Sequence, residues 1–329
     1  MRKIIAILFS LIICTTMIGA GDNIYQRETI RNDEMIEYLY NELGYDYNTL
    51  NSNCVMSSYY TGFGVGMNMN RKMALIDLMR IYNLIPDPDE YANMYKWDDK
   101  VSTDDPQELA YINYAKYLGI TKGTSATTFG FDQSITRAQL NTFRDNIKNL
   151  TDLKSYQYEY KFSVTDDQDN KHYSTFCKPL IAEYYYTLPD HIIDRVTTGK
   201  WKIEIVNGRI PGVASNIDAI GATNYYTYRI YVAAETNVFN LSSFMDTFIH
   251  EFGHVLDCES NCFLSSSINS AYNDEIDKLC REHRGYASKN EYEYIACAWR
   301  YMEIIGEEKY SEEYPLTYQL FLQGLNRLK

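Results

Sequence analysis

An α+β chain in two parts is predicted by three observations. Residues 22–150 read almost entirely as helices and loops. Residues 151–329 alternate helices with short β-branched and aromatic runs, enough for a small sheet. One helix of this second part, inside MDTFIHEFGHVLD at 245–257, carries His250 and His254 around Glu251. With 329 residues and 45% hydrophobic composition, the chain is long enough for two globular domains.

The elements follow in order. Arg2 and Lys3 precede an apolar run over 4–13 that ends near Gly19, Ala20 and Gly21. This is the pattern of a secretory leader, expected to span 1–20, and the run is short for a membrane span. The mature chain is therefore expected to be secreted, at or beyond the cell surface, with no membrane span. Residues 34–43, 71–83 and 108–118 read as helices, punctuated by Pro86, Pro88, Pro106 and Gly119. In the second part, 156–164 and 201–206 read as strands, and 173–186 and 189–198 as helices. The run ATNYYTYRIYVA, 222–233, reads as one strand just before the histidine helix, placed at a sheet edge where an extended peptide can pair with its main chain. Helices over 267–284, 289–305 and 311–327 close the chain.

A net charge of −13 argues against nucleic acid as a partner. With Cys14 removed in the leader, Cys54, Cys177, Cys258, Cys262, Cys280 and Cys297 remain. Export permits disulfides among them, and buried thiols are the other reading. No Cys-x-x-Cys occurs, which argues against a separate cysteine zinc site.

Gly119-Ile120, Gly123, Phe129 and Ile135-Thr136-Arg137-Ala138-Gln139 resemble an S-layer homology repeat, and a weaker copy ends in Asn70-Arg71-Lys72-Met73-Ala74. The resemblance implies that residues 21–150 bind cell-wall polymer. A plain helical spacer or prodomain is the alternative for the same residues.

His250-Glu251-Phe252-Gly253-His254 is an H-E-x-x-H motif. Positions i and i+4 share a helix face, so both imidazoles can meet one zinc ion. Phe248, Ile249, Phe252, Val255 and Leu256 supply the apolar side, and Gly253 leaves room for a packed neighbour. Zinc brings the pKa of its water to about 7, within reach of Glu251 as general base. Periodicity alone does not choose a third ligand between Glu291 and Glu293. The segment Glu293-Tyr294-Ile295-Ala296-Cys297-Ala298-Trp299-Arg300 resembles the corresponding helix of the anthrax lethal-factor-like metallopeptidases, which include secreted Pro-Pro endopeptidases. That resemblance implies a zincin-like catalytic domain over 151–329. It also implies Glu293 as third ligand of one zinc per chain, and Tyr286 as hydrogen-bond donor to the oxyanion. Cys297 departs from the family, which has a glutamate there. The expected activity is hydrolysis of protein or peptide substrates by zinc-activated water. A non-catalytic surface adhesion protein is the competing expectation.

Overall fold

The computed structural model describes residues 29–44, 67–99, 105–166, 171–197, 201–207, 210–213, 219–234, 241–260, 267–283 and 286–329. The leader, Cys54 and Cys262 lie outside these residues, and with them the expectation of secretion and of any disulfide that involves either cysteine. The described residues form two compact units that divide between Glu159 and Tyr160. Together they hold 13 α-helices and one four-stranded sheet, a mixed α and β composition. Among the described residues no helix is long and apolar enough to cross a membrane.

The N-terminal unit is helical: α1 (Asn32–Glu42), α2 (Arg71–Ile81), α3 (Pro88–Tyr91), α4 (Pro106–Tyr117), α5 (Arg137–Lys148) and α6 (Leu153–Tyr156). Each start has a local cause. Asp105 caps α4 by accepting from Gln107 N, with Pro106 in the first turn, where its missing N–H costs nothing. Thr136 and Gln139 exchange bonds at the start of α5, a capping box that satisfies two otherwise orphaned donors. Gly119 and Gly123 stand at φ +75° and +78°, and a Cβ on Gly123 would lie 2.4 Å from the Thr128 carbonyl oxygen. The turn after α4 therefore needs glycine there.

Three segments of this unit meet through main-chain bonds. Ile30 N donates to Ile135 O at 2.9 Å, Ile135 N to Met69 O at 2.9 Å, and Met69 N to Ile30 O at 2.8 Å. The bonds run head to tail and close a ring. All three residues are buried, and each stands just before the residue that caps a helix.

The C-terminal unit comprises β1 (Ser163–Asp166), α7 (Lys171–Thr187), α8 (Asp190–Thr197), β2 (Lys202–Asn207), β3 (Gly221–Asn224), β4 (Arg229–Ala234), α9 (Leu241–Ser260), α10 (Ser267–His283), a 3₁₀ turn at Ala287–Lys289, α11 (Glu291–Ile305), α12 (Glu307–Glu313) and α13 (Pro315–Arg327). The sheet order is β1-β2-β4-β3, with β1, β2 and β4 parallel and β3 antiparallel on an edge.

Three expectations change here. The single helix expected over 311–327 is two, α12 and α13, because the chain breaks at Tyr314 and Pro315 opens the second. The strand expected over 156–164 starts only at Ser163 and runs to Asp166. Residues 156 and 158 belong to the N-terminal unit, where Tyr156 O accepts from Tyr114 OH and Tyr158 pairs with Asn83 through both Asn83 O and Asn83 Nδ2. The single strand expected over 222–233 is a hairpin. Asn224 Oδ1 accepts from Tyr226 N and Thr227 N, and Tyr228 adopts φ +52°, which turns the chain back on itself.

Behind the sheet, α9 packs on α11 with a very close approach at Gly253. A Cβ there would stand 2.9 Å from Ala296 Cα and 3.2 Å from Trp299 Cβ. Phe248 and Phe252 are fully buried, each worth about 1.5–3 kcal/mol of apolar transfer. Both rings meet Tyr184 edge-on, and its hydroxyl accepts from Trp299 Nε1 at 2.9 Å. The face of α9 opposite this core carries the polar motif.

Candidate metal centre

Helix α9 presents His250 and His254 one turn apart, their ring centroids separated by 5.0 Å. Helix α11 supplies Glu293 from its first turn. Asn290 caps that turn by accepting from Glu293 N at 2.9 Å, which leaves the glutamate side chain to point elsewhere. Its Oε2 stands 3.2 Å from His250 Nε2 and 3.6 Å from His254 Nε2. One ligand atom from each of the three residues lies within 4.8 Å of the others. Four ligands about 2.0–2.1 Å from a tetrahedral ion stand roughly 3.3 Å apart, so the spacing and the N, N, O donor set fit zinc. Glu291, two positions earlier, is not part of this cluster.

The electrostatics agree with the geometry. Burial works against the Glu293 carboxylate, but the two imidazoles beside it hold its pKa well below the usual range. Burial also lowers the His254 imidazole, yet Glu293 and Glu251 bring it above its ordinary value. Burial raises the Glu251 pKa, partly countered by His254 and His250. A carboxylate so placed is a stronger base than one in water.

Glu251 is not left to rotate. The Thr223 hydroxyl on β3 lies 2.8 Å from its Oε2 and 3.0 Å from its main-chain oxygen. Gly221, also on β3, comes so near that a Cβ would meet Glu251 Oε1 and Thr247 Cγ2 at 2.5 Å. Sequence reading passed over both residues, because nothing local in GATN marks them as neighbours of a helix 30 positions later. The edge strand thus touches Glu251 directly.

Tyr286 lies beside the cluster, its ring centroid 5.7 Å from that of His250. It is 45% exposed, and burial of the rest, followed by Glu293 and Glu251, pushes its phenol up to about 12. The hydroxyl therefore stays protonated and able to donate near neutral pH. The Lys289 ammonium sits 3.5 Å from the ring centroid, a cation over an aromatic face.

The surroundings of the two histidines differ. Cys297 Sγ lies 3.7 Å from His250 Nδ1, where sulfur is a weak acceptor. His254 Nδ1 is buried without a partner among the described residues. Asp257, one turn further along α9, is raised by burial to about 6, with His254 pulling it down.

Among known families, the S-layer homology domain matches residues 98–140. The matched segment holds the glycine turn, Phe129 and Phe131, which pack on Trp97 just before it, and the start of α5. Asp99 ties its start to this loop, accepting from Phe129 N and Gly130 N. No curated protein matches the chain. The N-terminal unit therefore carries an S-layer homology domain.

Proposed function

We propose that this protein is a secreted zinc-dependent endopeptidase held at the cell surface by its N-terminal unit. The observation that carries the catalytic half is the convergence of His250 Nε2, His254 Nε2 and a Glu293 oxygen, with Glu251 buried beside them. The resemblance of 293–300 to lethal-factor-like peptidases supports the same reading. The surface half follows from the family match, since S-layer homology domains bind cell-wall polymers.

His250, His254 and Glu293 would hold one zinc ion per chain. When bound, zinc supplies Lewis acidity to water and to the scissile carbonyl. Glu251 takes the proton of the attacking water and then delivers it to the leaving amine. The Thr223 hydroxyl keeps the accepting oxygen of Glu251 in place. Tyr286 donates a hydrogen bond to the carbonyl oxygen as it gains charge. Among the described residues no strand pairs with the outer edge of β3, and that edge would accept an extended peptide through main-chain bonds and lay it across the base.

The test compares wild type with Glu251→Gln on a peptide library, with and without a chelator. Chelation should bring hydrolysis to background. Glu251→Gln should retain zinc but lose roughly 10²–10⁴-fold in turnover with little change in KM. Equal cleavage by the variant sinks the catalytic reading and leaves the adhesion reading, which rests on the S-layer homology match alone.

A further inference from the structure

The two imidazoles of the cluster are held differently, and the difference lies in α11. Glu293 and Cys297 stand four positions apart on that helix, so they share a face. Both meet His250, one at each ring nitrogen. Glu293 Oε2 lies 3.2 Å from Nε2, and Cys297 Sγ lies 3.7 Å from Nδ1. His254 has the glutamate at Nε2, while its Nδ1 finds no partner among the described residues. We infer that Cys297 is a positioning residue for His250 and that its thiol is a two-way partner, donating to Nδ1 in the metal-free site and accepting from Nδ1–H in the metal-loaded one.

The argument follows one proton. A neutral imidazole carries a single proton, on one nitrogen or the other. Without metal, the Glu293 carboxylate only accepts, so the proton belongs on Nε2, which faces it. Nδ1 is then an acceptor and calls for a donor. A metal ion takes the Nε2 lone pair instead. The proton must then stand on Nδ1, which calls for an acceptor. The ring gains and loses nothing: one proton leaves Nε2 and one arrives at Nδ1.

A thiol answers both states, because S–H is a weak donor and sulfur a weak acceptor. Its own proton stays on sulfur and only turns. The pair lies away from solvent, with Cys297 2% and His250 8% exposed, so a partner for Nδ1 has to come from the chain. An ionised glutamate at 297, the residue of the peptidases that 293–300 resembles, accepts only. It would suit the loaded ring and leave the metal-free ring with two acceptors facing each other. With cysteine there, metal can enter and leave while both nitrogens of His250 stay paired.

The inference rests on the zinc reading of the site, and its test tells the two apart. In the otherwise intact chain, Cys297→Ala removes the sulfur, Cys297→Val removes it and fills the space, and Cys297→Ser keeps a hydroxyl that donates and accepts on a shorter arm. Zinc affinity is read by competition with a chromophoric chelator. Nitrogen-15 spectra of the imidazoles are recorded with and without zinc at about pH 9, well above the ordinary histidine pKa. The alanine and valine variants should each bind zinc about tenfold more weakly than wild type, the low end for loss of an outer partner, because sulfur bonds weakly. Serine should fall between them and wild type. In wild type the His250 proton should sit on Nε2 without zinc and on Nδ1 with it. Should the alanine variant fail to fold, valine and serine decide. Wild-type affinity in the variants overturns the positioning role, and recovery with valine alone shows that Cys297 acts by volume, which also overturns it. A proton on Nδ1 in both states overturns the two-way role. If wild type takes up no zinc, the zinc reading falls and this inference with it; if wild type takes up zinc and the variants match it, this inference alone falls.

Discussion

The two units are specified by different parts of the chain. In the N-terminal unit the defining contacts are between main-chain atoms, and the side chains have only to permit them: glycine at φ +75° and +78°, a cap before α2, α3, α4 and α5, an apolar residue in the ring. In the C-terminal unit the defining contacts are between side-chain atoms of three separate elements, β3, α9 and α11, over a backbone that could carry many other residues. Main-chain architecture tolerates drift in sequence, as the dissimilar segments that meet at Ile30, Met69 and Ile135 show. A cluster able to hold a metal does not, because each candidate ligand offers one atom at one distance.

This difference makes a graded set of expectations. The largest concerns a ligand. Glu293→Ala should lose zinc by more than the roughly 10–100-fold that even an outer partner of a ligand costs, while Glu291→Ala should match wild type. Elemental analysis after dialysis reads the result, and equal retention would mean the cluster does not hold metal through Glu293. Neither change should alter co-sedimentation with purified cell-wall sacculi; if it does, the two units are not separate in function.

Next comes Tyr286→Phe, which removes one donor to the developing oxyanion. Turnover should fall about 10²–10³-fold with zinc content intact. A loss confined to KM would make Tyr286 a substrate contact only. Thr223→Val keeps the shape of the edge strand and deletes the hydroxyl beside Glu251. One orienting hydrogen bond is worth about 1 kcal/mol, so turnover should fall roughly fivefold to tenfold. An unchanged rate would show that burial alone positions the base.

A last expectation, read on stability rather than on turnover, concerns Glu303, on the far end of α11. Burial raises its pKa to about 8, with Glu307 adding to the rise, and its Oε1 has no partner among the described residues. A raised folded pKa means the native state holds a proton that the unfolded state has released. Its stabilising contribution is therefore present below about pH 4.5 and is lost as pH rises toward 8. Glu303→Gln should flatten that slope, melting above wild type at pH 9 and close to it at pH 5. Parallel melting curves at both values would show that Glu303 finds a partner on relaxation.

What could be read beforehand follows the same division. The motif His250 to His254 is contiguous, and its helix announces itself through Phe248, Phe252 and Val255. The turn at Gly119 and Gly123 is equally local. Glu293 could not be told from Glu291 by periodicity, since both flank the apolar stripe of α11, and only a resemblance to the lethal-factor-like peptidases separated them. Thr223 and Gly221 were invisible because their importance lies in a helix they do not adjoin in sequence. The hairpin at 225–228 was hidden by its own composition: tyrosine and threonine favour strands, and a side-chain bond from Asn224 outweighs that preference. The role of Ile30 is a property of the ring and of no single segment.

The ring also dictates a timetable. Ribosomes make Ile30 early and Ile135 late, yet the Ile30 N–H has no partner until Ile135 arrives. Met69 cannot close the circuit alone, since two members leave both ends open. Contacts this distant along the chain form slowly, because a long loop must close before any bond is gained. The circuit of three main-chain bonds is therefore complete only when all three segments are in place.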